Sequence, residues 1–283
     1  MKPEHLQRYY ADKLSGGRCD GNGGLSPRTV RHHHVTLHDA LESAVKWGLL
    51  SKNPADAVSP PRCQRPEWHT LSEDDIHTLL EAAKKTPYYA LFYLALFTGM
   101  RRSELLALRW SDIDLSLCQL YVKHTLHYLR DGSIVYRAPK TAKGLRMISL
   151  SPSTVLVLRE HKEKQQAHSI LLGMHLQDDD LVFSALWGKP LLPNTVTHAW
   201  IKLVRSIGLC NVRLHDARHS HASLLLKAGT HPKIVQERLG HTSIQVTLDT
   251  YSHVAPGLQE AAAKRFDELM SLRHENEVLE KLR

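Results

Sequence analysis

The chain has 283 residues, of which 42% are apolar and 23% charged, a balance that belongs to a folded globular protein and excludes general disorder. Its formal net charge of +8 asks for a polyanionic partner, nucleic acid first and an acidic membrane surface second. Cys19, Cys63, Cys118 and Cys210 form no C-x-x-C pair, the first ten residues are polar, and the longest apolar run is residues 88–98; these exclude a redox motif, a cysteine zinc site, a signal peptide and a bilayer span, and a cytoplasmic protein is expected.

In chain order, residues 6–13 read as a short helix and the glycine-rich residues 15–25 as a loop. Ser26 then stands as an N-cap with Pro27 at the first helical position. Val30, Leu37, Leu41, Val45 and Leu49 recur at helical spacing, with Gly48 at the helix end. This helix opens with Arg28 and Arg31. His32, His33 and His34 point three ways on it and cannot close around one metal, so they are read as surface or packing residues. Pro54, Pro60, Pro61 and Pro66 make residues 53–67 an extended linker, and a domain boundary is placed there.

Beyond the linker, Ser72 and Asp75 resemble a capping box ahead of the apolar stripe Ile76, Leu79, Leu80 and Ala83. Residues 88–98 are apolar on nearly every side and predict a buried helix that stops at Gly99. Strand patterns follow at 119–124, 134–138 and 146–150, and a turn between the last two carries Lys140, Thr141, Lys143 and Gly144. Helical patterns return at 153–168, 194–207, 215–228, 232–239 and 256–273, with Gly208, Gly229 and Gly240 where helices should end. The expected fold is mainly α: a helical N-terminal domain, then a mostly helical domain with a small three-stranded antiparallel sheet.

Three sites stand out chemically. His215 and Arg218 are three apart on one helix and share a face; His241 follows a helix-ending glycine, with Tyr251 ten residues later; Arg101 follows Thr98-Gly99-Met100. Together they contain what metal-free cleavage of a phosphodiester requires. Arginine clamps non-bridging oxygens with a planar fork that keeps its charge. Histidine donates hydrogen bonds or accepts protons near neutral pH. A tyrosine hydroxyl, with a free pKa of about 10, is helped to attack by a cationic cluster. The leaving 5′-oxygen needs a proton, which a lysine on a turn can supply. No Asp/Glu cluster has metal-ligand spacing, and neither metal nor cofactor is expected.

These segments resemble the tyrosine recombinase (phage integrase) family. Thr98-Gly99-Met100-Arg101-Arg102-Ser103-Glu104-Leu105 is similar to its first-arginine box, and Leu214-His215-Asp216-Ala217-Arg218-His219 to its His-x-x-Arg box. Leu239-Gly240-His241 with Asp249-Thr250-Tyr251-Ser252-His253 is similar to its histidine and nucleophile box, and Pro139-Lys140-Thr141 to the hairpin that carries its lysine. The resemblance implies that Tyr251 is the nucleophile, forming a 3′-phosphotyrosyl link and freeing a 5′-hydroxyl. Arg101 and Arg218 would clamp the phosphate, and His215 and His241 would handle hydrogen bonds and protons. Lys140 would be the general acid, with Lys143 as the alternative on the same turn. Arg28, Arg31, Arg102 and Lys143 are the expected DNA contacts; Asp216 is expected to brace local structure and Glu104 to pair with an arginine.

The resemblance also implies an organisation and a setting. Residues 1–58 would be a partial helical core-binding domain, 59–68 a linker, 69–265 the catalytic domain and 266–283 a helical tail. Met1 falls almost directly before the matching segment, so a truncated copy, a misplaced start codon or a minimal form is expected. The tail, with Phe266, Leu269 and Met270 as its apolar points, would dock on a neighbouring subunit or pack on its own domain. The implied partners are double-stranded DNA attachment sites, further copies in a homotetramer, and accessory DNA-bending or directionality proteins, with no membrane. The implied setting is bacterial or phage-encoded and DNA-associated. A type IB topoisomerase-like enzyme and a non-catalytic DNA-binding remnant are the competing readings.

Overall fold

The computed structural model describes residues 1–63 and 70–251, with the backbone alone for 249–251, and residues 263, 264, 266, 267 and 270. Two compact units divide the chain, residues 1–67 and 68–283.

The first unit holds α1 (Pro3–Gly16) and α2 (Pro27–Lys46). The Ser26 side chain accepts the Thr29 N–H at 3.1 Å and Pro27 opens α2, a cap whose loss costs about 1 kcal/mol in typical helices. Leu6, Tyr10, Val30, Ala55 and Val58 form the core. His33 and His34 pair with the hydroxyls of Tyr9 and Tyr10 at 3.2 and 3.0 Å, which fastens α2 to α1. The extended segment expected from residue 53 begins later than the prolines suggest, because Pro54–Ala57 is a 3-10 turn. Asn53 accepts the Ala55 N–H at 3.0 Å and its amide reaches His38 O at 3.1 Å. Proline at the first position of a turn starts helical structure rather than breaking it, and Ala55 and Val58 are drawn into the core. Residues 64–69 lie outside the described residues.

In the second unit α3 (Glu73–Ala83) starts at the Ser72–Asp75 capping box. The helix α4 (Tyr89–Thr98) is buried nearly all round and ends at Gly99 in the left-handed region, φ 65°. The short α5 (Arg102–Leu105) follows. Three strands, β1 (Ile113–Asp114), β2 (Gln119–Val122) and β5 (Arg146–Ser149), form an antiparallel sheet in which Leu120 faces both Ile113 and Ile148. Between β2 and β5 lies a separate hairpin, β3 (Thr125–Tyr128) with β4 (Ile134–Arg137). The expected strand at 134–138 therefore joins the hairpin and not the sheet. The reason is a tight Asp131-Gly132 turn, with Gly132 at φ 85° and the Ser133 N–H on the Asp131 carboxylate, which folds β4 back on β3.

The remaining elements are α6 (Pro152–Leu171), α7 (Pro193–Ser206), α8 (Leu214–Lys227), α9 (Pro232–Leu239) and α10 (Ile244–Tyr251). Trp200 of α7 is fully buried, meets Phe92 of α4 edge-to-face at 5.1 Å and donates to Val212 O. That contact seats the strongly apolar α4 at the centre of the core. No helix among the described residues is long and apolar enough to cross a membrane. The helix expected at 256–273 lies outside the described residues, apart from five helical positions that include Phe266 and Met270.

Candidate active site

The site is assembled where helices end. Both α4 and α9 stop at a left-handed glycine, Gly99 (φ 65°) and Gly240 (φ 67°), leaving backbone carbonyls without helical partners. Arg218 of α8 donates to two of them, Gly99 O and Leu239 O, each at 2.7 Å, and is 3% exposed. A guanidinium suits the negative ends of two helices. At Gly99 a side chain has no room, since a Cβ would come within 2.6 Å of Leu239 and 2.9 Å of His221.

Arg101 caps α5 just beyond Gly99. Its N–H and guanidinium both reach the Glu104 carboxylate, at 2.9 and 2.8 Å, while its side chain stays 39% exposed. Glu104 is 1% exposed and also pairs with Arg146. Burial alone would raise its carboxyl, but hydrogen bonding and charge from Arg146, then the N–H and charge of Arg101, hold it below the ordinary carboxylate value.

The histidines are held neutral. His241 is pushed down to about 3, by burial first and then by the charges of Arg218 and Arg101. His215, although its surface is exposed, is lowered by desolvation, then by Arg218 and, more weakly, Arg101, against an opposing pull from Asp216. Two imidazoles on separate elements thus feel the same two arginines, so residues 101, 215, 218 and 241 converge. His241 Nδ1 meets the Thr247 hydroxyl at 2.9 Å, and its backbone is fixed by Gln236 at 3.1 and 2.9 Å. Asp216 is buried and holds Arg213 at the start of α8.

The other expected residues are placed as follows. Lys140 is exposed on the β4–β5 connection and makes no hydrogen bond or ion pair among the described residues. Lys143, on the same connection, donates to Thr242 O at 2.6 Å, next to His241. Tyr251 is the last residue of α10, which packs on α8 and α9; its side chain lies outside the described residues. Arg102 is exposed, but its guanidinium is fastened to Pro193 O and Thr197 Oγ1 at the start of α7. Arg28 and Arg31 are exposed, three apart at the start of α2 in the first unit.

The sequence patterns do not single out Arg146, Arg238, His221 or Thr247. Arg238 donates to Phe97 O, Ser149 O and the His221 ring, joining α4, β5, α8 and α9. For Arg146 a signal existed: it alternates with the buried Ile148 on β5, and a charge on the inward face of a strand demands a partner.

Residues 69–257 match the phage integrase family. The chain belongs to this family. A tyrosine recombinase XerC-like protein of Caldanaerobacter subterraneus subsp. tengcongensis is 28% identical over 95% of this chain and 71% of its own length. The ICEBs1 integrase of Bacillus subtilis is 30% identical over 87% of this chain and 67% of its own. Among solved structures, a Tn1549 transposon integrase in complex with transposon right end DNA shares the fold with a TM-score of 0.76 at 20% identity, covering 94% of this chain and 86% of that one. A lambda integrase tetramer bound to a Holliday junction gives a TM-score of 0.58 at 21% identity, over 86% and 65%. As a phage integrase family member the chain is a tyrosine-type site-specific DNA recombinase, and its reaction runs through a covalent 3′-phosphotyrosyl intermediate.

Proposed function

We propose that this integrase recombines double-stranded DNA attachment sites with Tyr251 as nucleophile, Arg101 and Arg218 as the phosphate clamp, His215 and His241 as proton and hydrogen-bond partners, and Lys140 as general acid. The observation that carries the assignment is convergence: Arg218 donates to Gly99 O and Leu239 O, each two residues before Arg101 and His241 respectively, and burial, then the charges of Arg218 and Arg101, lower the proton affinity of His215 and His241. A phosphodiester entering between these groups brings the negative charge that the cluster lacks. With the phosphate's charge offsetting the arginines, the imidazoles regain proton affinity and take the tyrosine proton as its oxygen attacks phosphorus. The P–O bond to the 5′-oxygen then breaks, and that oxygen leaves with a proton from the lysine. Because the tyrosyl ester conserves the bond energy, the freed 5′-hydroxyl of a second strand reverses the step without ATP.

Lys140 suits the acid role because its ammonium is exposed and unengaged among the described residues, whereas Lys143 is committed to Thr242 O. In this reading residues 1–58 grip DNA through Arg28 and Arg31, 59–68 link, 69–265 carry the chemistry, and 266–283 join neighbouring subunits of a homotetramer, with accessory DNA-bending proteins as further partners. Arg102, held against α7, serves DNA contact only with the donors that α7 leaves.

The test is covalent trapping. The protein is incubated with nicked suicide duplexes made from the sequence flanking its own gene, beside Tyr251→Phe. A protein–DNA adduct that survives denaturation and vanishes in the variant is expected. An adduct of equal yield in Tyr251→Phe, or binding without any adduct, overturns the assignment.

A further inference from the structure

Arg146 has no role in the mechanism above, yet its guanidinium makes four hydrogen bonds beside the site. It lies on β5 with its side chain 5% exposed. Its guanidinium meets both Glu104 oxygens, at 2.8 and 3.2 Å, and donates to Arg238 O at 2.7 Å and Gly144 O at 3.2 Å. Each of those partners supports a different part of the site. Glu104 holds Arg101 at 2.8 Å. Arg238 lies three residues before His241. Gly144 closes the 3-10 turn Ala142–Gly144 of the lysine connection.

The lysine connection also rests directly on the end of α9. A Cβ placed on Gly240 would come within 3.0 Å of both Lys143 O and Arg146 Nη1, and Lys143 Nζ reaches Thr242 O. One guanidinium therefore joins the support of Arg101, the base of the lysine connection and the chain that enters His241.

We propose that Arg146 is a positioning residue for strand cleavage. It fixes Arg101 through Glu104 and holds the lysine connection against the His241 segment, so that phosphate clamp and proton donor keep one spacing. The inference rests on the reaction assigned in the preceding subsection. Arginine is suited to the task because its planar fork serves two carboxylate oxygens and two carbonyls at once. A lysine would neutralise Glu104 but could not hold all three segments.

The test compares the intact chain with Arg146→Lys and Arg146→Met on the same nicked duplex, in single turnover at saturating DNA. In Arg146→Lys the cleavage rate is expected to fall about tenfold or more while Kd for the duplex stays within about threefold, the signature of misplaced groups rather than lost grip. In Arg146→Met the acid limb of the rate–pH profile is expected to move to higher pH, because Glu104 loses the partner that holds its carboxyl low. A purely structural ion pair would leave that limb in place. Equal rates for wild type and Arg146→Lys, or a rate loss matched by an equal loss of affinity, overturn the proposal. Should Arg146→Met lack a cooperative melt, rate and affinity of Arg146→Lys decide alone. Failure of the wild-type protein to cleave counts against the reaction itself and is read before either variant.

Discussion

The Nδ1 atom of His241 lies 2.9 Å from the hydroxyl of Thr247, six residues on. Thr247 is fully buried and sits on α10, the helix whose last residue is Tyr251. The imidazole and the helix that ends at Tyr251 are thus tied by one hydrogen bond. Thr247→Val keeps the volume, removes the hydroxyl and leaves a ring nitrogen unsatisfied. Stability should drop by about 1–2 kcal/mol, and covalent adduct should form about tenfold more slowly. Chemical denaturation and single-turnover trapping check the two effects; an unchanged adduct rate would show that the bond does not serve catalysis.

Acid should unfold the catalytic unit early. Burial holds His219 at about 4 and His221 at about 3, and burial with Arg218 holds His241 at about 3. In an unfolded chain histidine takes its proton near pH 6.5. Below that pH the unfolded state binds more protons, so stability falls as pH falls; above it the contribution is fully present. Urea midpoints should be level above about pH 7 and decline steadily from about 6.5 towards 4. A flat profile through that window would contradict neutral, buried histidines.

The lysine assignment has a chemical test. A duplex with sulfur in place of the bridging 5′-oxygen releases a thiol, which needs little protonation to leave. Lys140→Ala should cleave the ordinary duplex at least about a hundredfold more slowly than wild type and regain most of its rate on the sulfur substrate. Lys143→Ala should show a smaller loss and no such rescue, since its ammonium anchors the connection to Thr242 O. The reverse pattern would exchange the two roles.

DNA grip should separate by salt dependence. Removing Arg28 and Arg31 together should reduce the slope of log K against log salt by up to about two and weaken all sequences alike. Arg102→Ala should change the slope less, because Pro193 O and Thr197 already hold its guanidinium. Anisotropy titrations at several salt concentrations measure both.

Local signals read well where they were strong. The capping box at Ser72, the N-cap at Ser26 and the helix-ending glycines at 99, 208, 229 and 240 mark elements through short-range stereochemistry, which the sequence states outright. Strand partnership did not read, because residues 134–138 carry the same pattern whether they pair with β2 or with β3; the Asp131-Gly132 turn decides it. Helix α10 is not legible in the sequence, since Ile244, Val246 and Leu248 are all partly exposed and alternate more like a strand than a helix. Within the site, Arg101, His215, Arg218 and His241 announce themselves as short boxes. Arg146 and Arg238 work through bonds to distant backbone carbonyls, and no local pattern encodes those.

The crowding at Gly99 and Gly240 bears on how such a chain can evolve. Each combines a left-handed backbone with atoms at 3.0 Å or less from any added Cβ, so a single-step replacement at either position is both strained and crowded. Exposed charges such as Arg28 and Arg31 meet no such constraint and can be exchanged freely. The two glycines instead act as hubs in the mutational landscape: deep mutational scanning under selection for recombination should find those two codons intolerant while the exposed start of α2 drifts. Surface charge and site geometry can then diversify at different rates within one gene.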